Sequence, residues 1–282
     1  MVGCGPASLT LMCGRYASSR RPEDLREEFE IDRAEVAEPL AADYNVAPTK
    51  PVYAVVERTP RGGESQEGTA ESGGPGGGAL ERQLRVVRWG LVPFWAKDLS
   101  IGNRLINARV ETVHEKPAFR RAFASRRCLL PADGYYEWYP TDQRTASGKP
   151  LKQPFFIRPA DGGVLAMAGL YEIWRDPEKA EDDPDRFVWT CTVLTTSAQD
   201  AVGQIHDRMP LLVEPDRYSA WLDPSSSAVD DLRELLVPAA PGRLEAYPVS
   251  TRVNNVRNNG PELLEPVEAA EPAERVSQDA SS

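Results

Sequence analysis

The sequence predicts an α+β fold in which a few helices surround a largely antiparallel, barrel-like sheet. Segments rich in β-branched and aromatic residues outnumber those with helical periodicity, so strands dominate the prediction. The helical segments do not alternate regularly with the strands, which disfavours a doubly wound parallel sheet. The 282 residues suffice for one large domain or two small ones, and they contain no internal repeat.

Short runs of Val, Ile, Thr, Tyr, Phe and Trp are typical of strands, and six segments have this composition. They are residues 52–57, 84–92, 128–139, 154–159, 164–174 and 187–196. Helices are predicted over residues 22–31, 117–124, 215–223 and 227–236. The first helix starts with Pro and acidic residues, as first turns often do. The second places Phe119 and Phe123 on one face.

Two segments are expected to lie outside the ordered fold. Residues 60–79 are rich in Gly, Ser and Glu and cannot bury enough apolar surface to offset their ordering entropy. They are predicted to be a flexible insertion between two strands. Their GGPGGG run lacks the Lys-Ser/Thr of a phosphate-binding loop. Residues 267–282 are predicted to be a disordered acidic tail.

Charge is distributed unevenly along the chain, whose formal net charge is −10. Residues 84–128 hold ten Lys/Arg against three Asp/Glu, whereas residues 261–282 hold six acids and one base. A basic middle between acidic margins is compatible with a local phosphate-binding face. It is equally compatible with basic residues spread over several faces.

Residues 1–11 lack the basic start and apolar centre of a secretory signal, and no apolar run approaches the ~18 residues of a membrane span. We therefore expect a cytoplasmic protein without a membrane segment. The four cysteines, Cys4, Cys13, Cys128 and Cys191, are scattered and do not have the spacing of a disulfide framework.

The segment MCGRY contains a cysteine directly after Met12. Translation from Met12 and removal of that methionine would make Cys13 the N-terminal residue, so residues 1–11 are expected to be absent from the mature protein. An α-amine, whose pKa is generally about 8, attacks an aldehyde to form a Schiff base. The adjacent thiolate then closes a thiazolidine ring. A small, buried apolar role for Cys13 is the alternative.

The segment INARVET carries an amide and a guanidinium two residues apart, at Asn107 and Arg109. In an extended segment both side chains lie on one face. Asn107 offers donors and an acceptor, so the pair suits a sugar hydroxyl and a phosphate. An Asn in a turn beside a solvated Arg is the alternative.

The segment PADGYYEWY consists of a turn signal followed by a strand. Strand alternation puts Tyr135, Glu137 and Tyr139 on one face and Tyr136 and Trp138 on the other. A carboxylate between aromatic rings loses hydration, which raises its pKa toward the range useful for a general acid. A strand carboxylate exposed to solvent is the alternative.

His206 is one of only two histidines and lies beside Asp207 and Arg208. Histidine is the natural proton shuttle near neutral pH. The other, His114, lies in a polar stretch and is expected at the surface. Two histidines and dispersed cysteines leave no plausible zinc-ligand spacing, so we expect neither a metal nor a cofactor.

Taken together, these segments resemble the SOS response-associated peptidase family, also called abasic site processing proteins. Eight segments match in chain order, which argues against chance and outweighs the structural alternatives for single residues. They are MCGRY (12–16), YNVAPT (44–49), RWGLVPFWAKD (88–98), INARVET (106–112), RRCLLPADGYYEW (126–138), PFFI (154–157), TTSA with IHDRMP (195–198, 205–210) and VSTRVNNVRNNGPELLEP (249–266). The resemblance covers residues 12–266, which are expected to form one domain of that family's fold.

The resemblance implies that Cys13, as the mature N-terminus, forms a thiazolidine with the aldehyde of a ring-opened abasic deoxyribose. It implies that Asn107 positions the sugar and that Glu137 acts as general acid/base in ring opening and in handling the Schiff base. It implies that His206 assists proton transfer when the crosslink forms and reverses.

The resemblance also implies the DNA contacts. Arg15, Arg109 and Arg208 match positions that contact DNA phosphates, and Pro48 and Trp95 match the cleft surface near the DNA. The expected partner is single-stranded DNA that contains abasic sites. The protein is expected to be a monomer that associates with the nucleoid when it is bound to DNA.

Three other hypotheses remain open. A thiol peptidase would use Cys13 as nucleophile and His206 as base, and self-cleavage before Cys13 would also free the amine. A non-catalytic single-strand binding module would need only basic and aromatic residues. The extended chain could also be an inactive store that awaits processing.

Overall fold

The computed structural model describes residues 13–59, 79–144, 147–148, 150–198, 200–238 and 242–268. The strands are β1 (Tyr16–Ser18), β2 (Arg33–Glu35), β3 (Asp43–Val46), β4 (Pro51–Arg58), β5 (Glu81–Trp89), β6 (Asn107–Arg109), β7 (Arg127–Ala132), β8 (Gly134–Arg144), β9 (Pro150–Pro159), β10 (Leu165–Arg175), β11 (Phe187–Ser197), β12 (Arg208–Pro210) and β13 (Leu244–Pro248). The α-helices are α1 (Pro22–Glu28), α2 (Arg120–Ser125), α3 (Asp200–Ile205), α4 (Tyr218–Leu222) and α5 (Val229–Glu234). Short 3-10 helices cover Leu99–Arg104, Pro184–Arg186, Pro215–Arg217, Thr251–Asn254 and Pro261–Leu264.

The strands form two sheets. The smaller has the order β13-β9-β8-β1-β3, and the larger has the order β12-β11-β10-β7-β4-β5-β2, with β6 beside β11. A further pairing between β11 and β5 closes five strands of the larger sheet into a ring. Most pairs are antiparallel; β2–β5, β5–β11 and β6–β11 are parallel. The predicted α+β class with a barrel-like, largely antiparallel sheet is confirmed.

The two-residue period of the strands separates two apolar clusters. Along β4, Val52, Ala54 and Val56 belong to a cluster with members from all five strands of the ring, which therefore fills its interior. The intervening Tyr53 and Val55 belong to a second cluster, which packs outside the ring against the helices. Helix residues of that outer cluster include Leu25, Phe123, Trp221 and Leu232. The helices therefore cover the barrel, as the α+β prediction requires.

The six predicted strand segments all contain strands, but residues 128–139 belong to two different ones. The chain leaves β7 in the larger sheet at Ala132 and enters β8 in the smaller sheet at Gly134. A Cβ atom at Gly134 would lie 2.6 Å from the carbonyl oxygen of Ile157, so only glycine allows this approach. The segment thereby links the two sheets.

The four predicted helices are present, although each is shorter than predicted. Strands β1, β2, β3, β6 and β12 have three or four residues each, which is too short for an alternating pattern to be detected in the sequence. Among the described residues, no helix has the length and hydrophobicity that a membrane crossing requires.

Residues 1–12, 60–78 and 269–282 are among those outside the described residues. The extension at 1–11, the flexible insertion at 60–79 and the acidic tail at 267–282 therefore stay predictions. Strands β4 and β5, which precede and follow the insertion, pair antiparallel from Pro51 with Arg88 to Arg58 with Glu81.

Candidate active site

The pairing of β1 with β8 brings Cys13 beside Glu137, although 124 residues separate them in the sequence. Tyr16 lies opposite Tyr135, and the backbone N–H of Tyr136 donates to the carbonyl of Arg15 at 3.0 Å. Because the two strands run antiparallel, the segment just before β1, which contains Cys13, lies beside the residue of β8 that follows Tyr136. That residue is Glu137.

Cys13 makes two contacts with a single carboxylate oxygen. Its backbone nitrogen donates to Oε1 of Glu137 at 2.9 Å, and its Sγ donates to the same oxygen at 3.0 Å. The backbone φ of Cys13 is 42°, in the left-handed region that non-glycine residues seldom adopt. Such conformations persist where the surroundings impose them, often at functional sites. Cys13 is 4% exposed, so the pair is largely shielded from water.

Burial determines the protonation of this pair. It raises the pKa of the Cys13 thiol well above 9.0, the nearby Glu137 raises it further, and the charge of Arg208 opposes both. Burial also raises the pKa of Glu137, against the hydrogen bonds from Cys13 and the charge of His206. The predicted raised pKa of Glu137 is confirmed. The thiol therefore keeps its proton in the resting site, and Glu137 is the acceptor placed to receive it.

The imidazole of His206 is positioned by a hydrogen bond to the backbone two residues further along the chain. Its Nδ1 accepts the backbone N–H of Arg208 at 3.0 Å and also lies 3.0 Å from Oδ1 of Asp207. A nitrogen that accepts an N–H cannot also donate to Asp207. The backbone contact is the firmer constraint, because the Asp207 side chain is 86% exposed and its charge is screened by water.

Arg208 is buried and already paired. Its Nη1 and Nη2 donate to the two carboxylate oxygens of Glu111 at 2.5 and 3.0 Å, and Nη2 also donates to the carbonyl of Thr195 at 2.6 Å. Such a bidentate pair fixes the guanidinium in position and orientation. Any anion that bound Arg208 would have to compete with the carboxylate of Glu111.

Asn107 and Arg109 lie at the same end of β11 as Arg208. Strand β6 runs parallel to β11 and sets Asn107 opposite Val193 and Arg109 opposite Thr195. Asn107 is half-buried, and Arg109 is exposed. The hydrogen bonds from Arg208 lower the pKa of Glu111 most, and the charges of Arg208 and Arg109 lower it further. The predicted amide and guanidinium thus converge with Arg208 at one end of the barrel.

The other residues predicted to contact DNA are Arg15, Pro48 and Trp95. Arg15 is half-buried, and its Nη1 donates to Oδ1 of Asn45 at 2.7 Å and to the carbonyl of Val253 at 2.9 Å. Pro48 is half-buried between β3 and β4. Trp95, in the loop after β5, is 50% exposed and follows the equally exposed Phe94. Two large aromatic side chains are thus exposed side by side on this surface.

Two residues of the site were not predicted from the sequence. Glu111 belongs to the INARVET segment, but its partner Arg208 is 97 residues away, so no local pattern indicates the pair. Strand alternation predicts that Tyr135 lies on the same face as Glu137. That shared face is the sequence signal that could have indicated Tyr135 as a residue of the site. The prediction that His114 is a surface residue is wrong, because its side chain is only 16% exposed.

Within the described ranges, no group of three or more His, Cys, Asp or Glu residues is placed to hold a metal ion. Cys13, Cys128 and Cys191 are free thiols, and all three are buried.

Replacing Glu137 with glutamine is expected to stabilise the protein at neutral pH. Because folding raises the pKa of the Glu137 carboxyl above 4.5, the protonated carboxyl favours the folded state at low pH. This contribution to the free energy of unfolding is lost as the pH rises through the folded-state pKa. Gln stays neutral throughout, so Glu137→Gln should raise the unfolding temperature at pH 8, where each 1 kcal/mol corresponds to about 2–4 °C in a domain of this size. The difference should vanish near pH 4. Circular dichroism melts across this range test it, and an equal difference at every pH would contradict it.

The chain is similar in sequence to one known protein family and to several of its proteins. The family model described as SOS response associated peptidase (SRAP) matches residues 12–256. The abasic site processing protein YoqW of Bacillus subtilis (strain 168) is 37% identical over 254 residues, which cover 90% of this chain and 99% of YoqW. The abasic site processing protein YedK of Escherichia coli (strain K12) is 32% identical, covering 91% of this chain and 100% of YedK.

Solved structures show the same fold. A crystal structure of a protein from Bacteroides thetaiotaomicron superposes with a TM-score of 0.68 at 23% identity, covering 91% of this chain and all of that one. A second, from Bordetella bronchiseptica, has a TM-score of 0.60 at 26% identity and covers 84% of this chain and all of that one.

Proposed function

This chain belongs to the SOS response associated peptidase (SRAP) family of abasic site processing proteins, and from that premise we propose that it captures abasic sites in single-stranded DNA covalently through Cys13. One observation carries the proposal. The nitrogen and the sulfur of Cys13 both lie within hydrogen-bonding distance of one buried carboxylate oxygen, that of Glu137. These are the two atoms that a thiazolidine ring joins to an aldehyde carbon.

The proposed reaction has two covalent steps. The neutral α-amine attacks the aldehyde carbon of the ring-opened sugar, and the aldehyde oxygen takes up protons and leaves as water, which produces an imine. The sulfur then adds to the imine carbon while the thiol proton moves to the nitrogen. Glu137 Oε1 is placed to relay protons in both steps, because it already accepts hydrogen bonds from both donors.

The raised pKa of the Cys13 thiol favours this reaction over thiol proteolysis. A peptidase needs a thiolate, formed with the help of a base such as histidine. Here burial keeps the thiol protonated, and its hydrogen-bond acceptor is Glu137, not His206. A neutral thiol that adds to an imine after the amine has reacted fits this environment better.

The proposal requires that the nitrogen of Cys13 be a free amine. A start at Met12, followed by removal of the methionine, provides it. The family match begins at residue 12, which supports this start. Cleavage of a longer precursor directly before Cys13 is the other route to the same amine.

DNA recognition would rest on backbone charge and stacking, because an abasic site has no base to read. Arg109 is exposed beside the site, and Arg15 and Arg208 lie close to Cys13 with partners that a phosphate would replace. The exposed ring of Trp95 offers a surface on which a neighbouring base can stack. Affinity before capture should fall as the salt concentration rises.

The test is incubation of the Met12-start protein with single-stranded DNA carrying one abasic site, followed by a denaturing gel. We expect a heat-stable shifted band. Two control oligonucleotides are matched to it, one intact and one with a tetrahydrofuran analogue, which has the abasic shape but no aldehyde. Neither should give a band. A band on the tetrahydrofuran strand, or none on the abasic strand, would contradict the proposal.

A further inference from the structure

The hydroxyl of Tyr135 is a buried polar group with no part in the mechanism above. Tyr135 is 1% exposed, and its Oη has no hydrogen-bond partner among the described residues. Its neighbour Tyr136, also fully buried, donates its hydroxyl to the carbonyl of Tyr44 at 2.7 Å. Because buried polar groups are nearly always paired, an exception calls for an explanation, and a ligand that supplies the partner is one.

Tyr135 lies on the side of β8 that faces the reactive pair. It is two residues before Glu137 on the same strand, so both side chains project from the same face. It also belongs to the same buried cluster as Cys13 and lies opposite Tyr16 of β1. The Tyr135 side chain therefore shares the buried side of this sheet with Cys13 and Glu137.

Electrostatics agree with this placement. Burial raises the pKa of Tyr135 well above 10.0, and the proximity of Cys13 and Glu137 raises it further. The two groups are thus within electrostatic reach of the phenol, and the phenol keeps its proton at every physiological pH. Tyr135 is a permanent hydrogen-bond donor in a water-poor site, where such donors act most strongly.

We propose that Tyr135 is a further catalytic residue, whose hydroxyl donates a hydrogen bond to the aldehyde oxygen of the substrate while the nitrogen of Cys13 attacks the aldehyde carbon. The inference rests on the proposed function. As the N–C bond forms, the C=O electron pair moves onto the oxygen, and Tyr135 stabilises that negative charge without giving up its proton. The oxygen then takes its protons by way of Glu137 and leaves as water.

Tyr135 permits a cleaner test than the other buried donor of the site. The Nε of Arg208 also has no partner among the described residues, but replacing Arg208 would break the ion pair with Glu111. Tyr135→Phe removes one oxygen and keeps the ring. Tyr136→Phe is the matched control, since it is the same change one residue later on the opposite face, where the hydroxyl is paired.

The experiment measures single-turnover capture of abasic single-stranded DNA by the Met12-start protein, which retains every described residue. Tyr135→Phe should slow capture about 100-fold, the scale expected for loss of one preorganised donor. Imine trapped with borohydride should slow by the same factor, because the donor acts before the imine. The unfolding temperature should stay the same or rise, since an unpaired buried hydroxyl is removed. Tyr136→Phe should instead lower the unfolding temperature and leave the capture rate unchanged.

Three outcomes separate the possibilities. If the unsubstituted protein forms no adduct, the proposed function fails and this inference with it. If the unsubstituted protein captures DNA and Tyr135→Phe does so at the same rate, this inference alone is overturned. It is overturned as well if Tyr135→Phe lowers the unfolding temperature and slows capture only in proportion to lost folded protein, because Tyr135 would then have a purely structural role.

Discussion

Replacing Cys13 with alanine in the Met12-start protein is expected to abolish the heat-stable adduct with abasic single-stranded DNA. The α-amine remains, so an imine still forms, but no sulfur is available to close the ring. The imine hydrolyses on heating, so the adduct should fall below detection on a denaturing gel. Borohydride, which reduces the imine to a stable amine, should restore a band. This combination separates the role of the sulfur from that of the nitrogen.

Cys128→Ala is the matched control for the Cys13 variant. Cys128 is equally buried and free, but it lies in the interior of the barrel on β7. Its replacement should leave the heat-stable adduct intact. A heat-stable band from Cys13→Ala, or loss of the band from Cys128→Ala with the fold preserved, would mean that Cys13 is not the residue that closes the ring.

The full 282-residue chain provides a third comparison for the same residue. If residues 1–12 stay attached, the nitrogen of Cys13 is an amide and cannot form an imine. The intact extended protein should therefore give no band with or without borohydride. Mass spectrometry of the N-terminus decides whether any adduct comes from processed protein, and an adduct on the unprocessed chain would refute the role of the Cys13 nitrogen.

Replacing Glu137 with glutamine has the second largest expected effect. Capture should slow about 100- to 10,000-fold, the range for loss of a general acid/base, while non-covalent affinity for single-stranded DNA stays within a few-fold. The reason is geometric, since Oε1 of Glu137 contacts both reacting atoms of Cys13 and Gln cannot accept a proton there. Single-turnover capture and fluorescence anisotropy measure the two quantities.

Glu245→Gln is the control for the loss of one negative charge. Glu245 is on the edge strand β13, three strands from β1 in the smaller sheet, and its 43%-exposed side chain pairs with Arg158. Its replacement should change neither capture nor affinity. If Glu137→Gln captures DNA as fast as the unsubstituted protein, proton relay by Glu137 is wrong. Because the same variant is expected to be more stable at neutral pH, slow capture cannot be attributed to unfolding.

Local pattern was sufficient to predict the parts of this protein whose structure depends on neighbouring residues. The six long strand segments, the four helices and the α+β class follow from composition and periodicity, because burial on one face imposes that period. The shared face of Tyr135 and Glu137 follows for the same reason. The chemical interest of Cys13 follows from its position after Met12, which is a property of the sequence alone.

The contacts of the candidate site depend instead on pairing between segments that are distant in the sequence. A three-residue strand such as β1 has no detectable period. Only its register against β8 shows that the nitrogen and the sulfur of Cys13 both meet one oxygen of Glu137, which is 124 residues away in the sequence. The Arg208–Glu111 pair likewise exists because β6 and β12 both lie beside β11. A sequence pattern reports which face a side chain takes. Which side chain it meets there depends on how the sheets close, and only the tertiary structure contains that information.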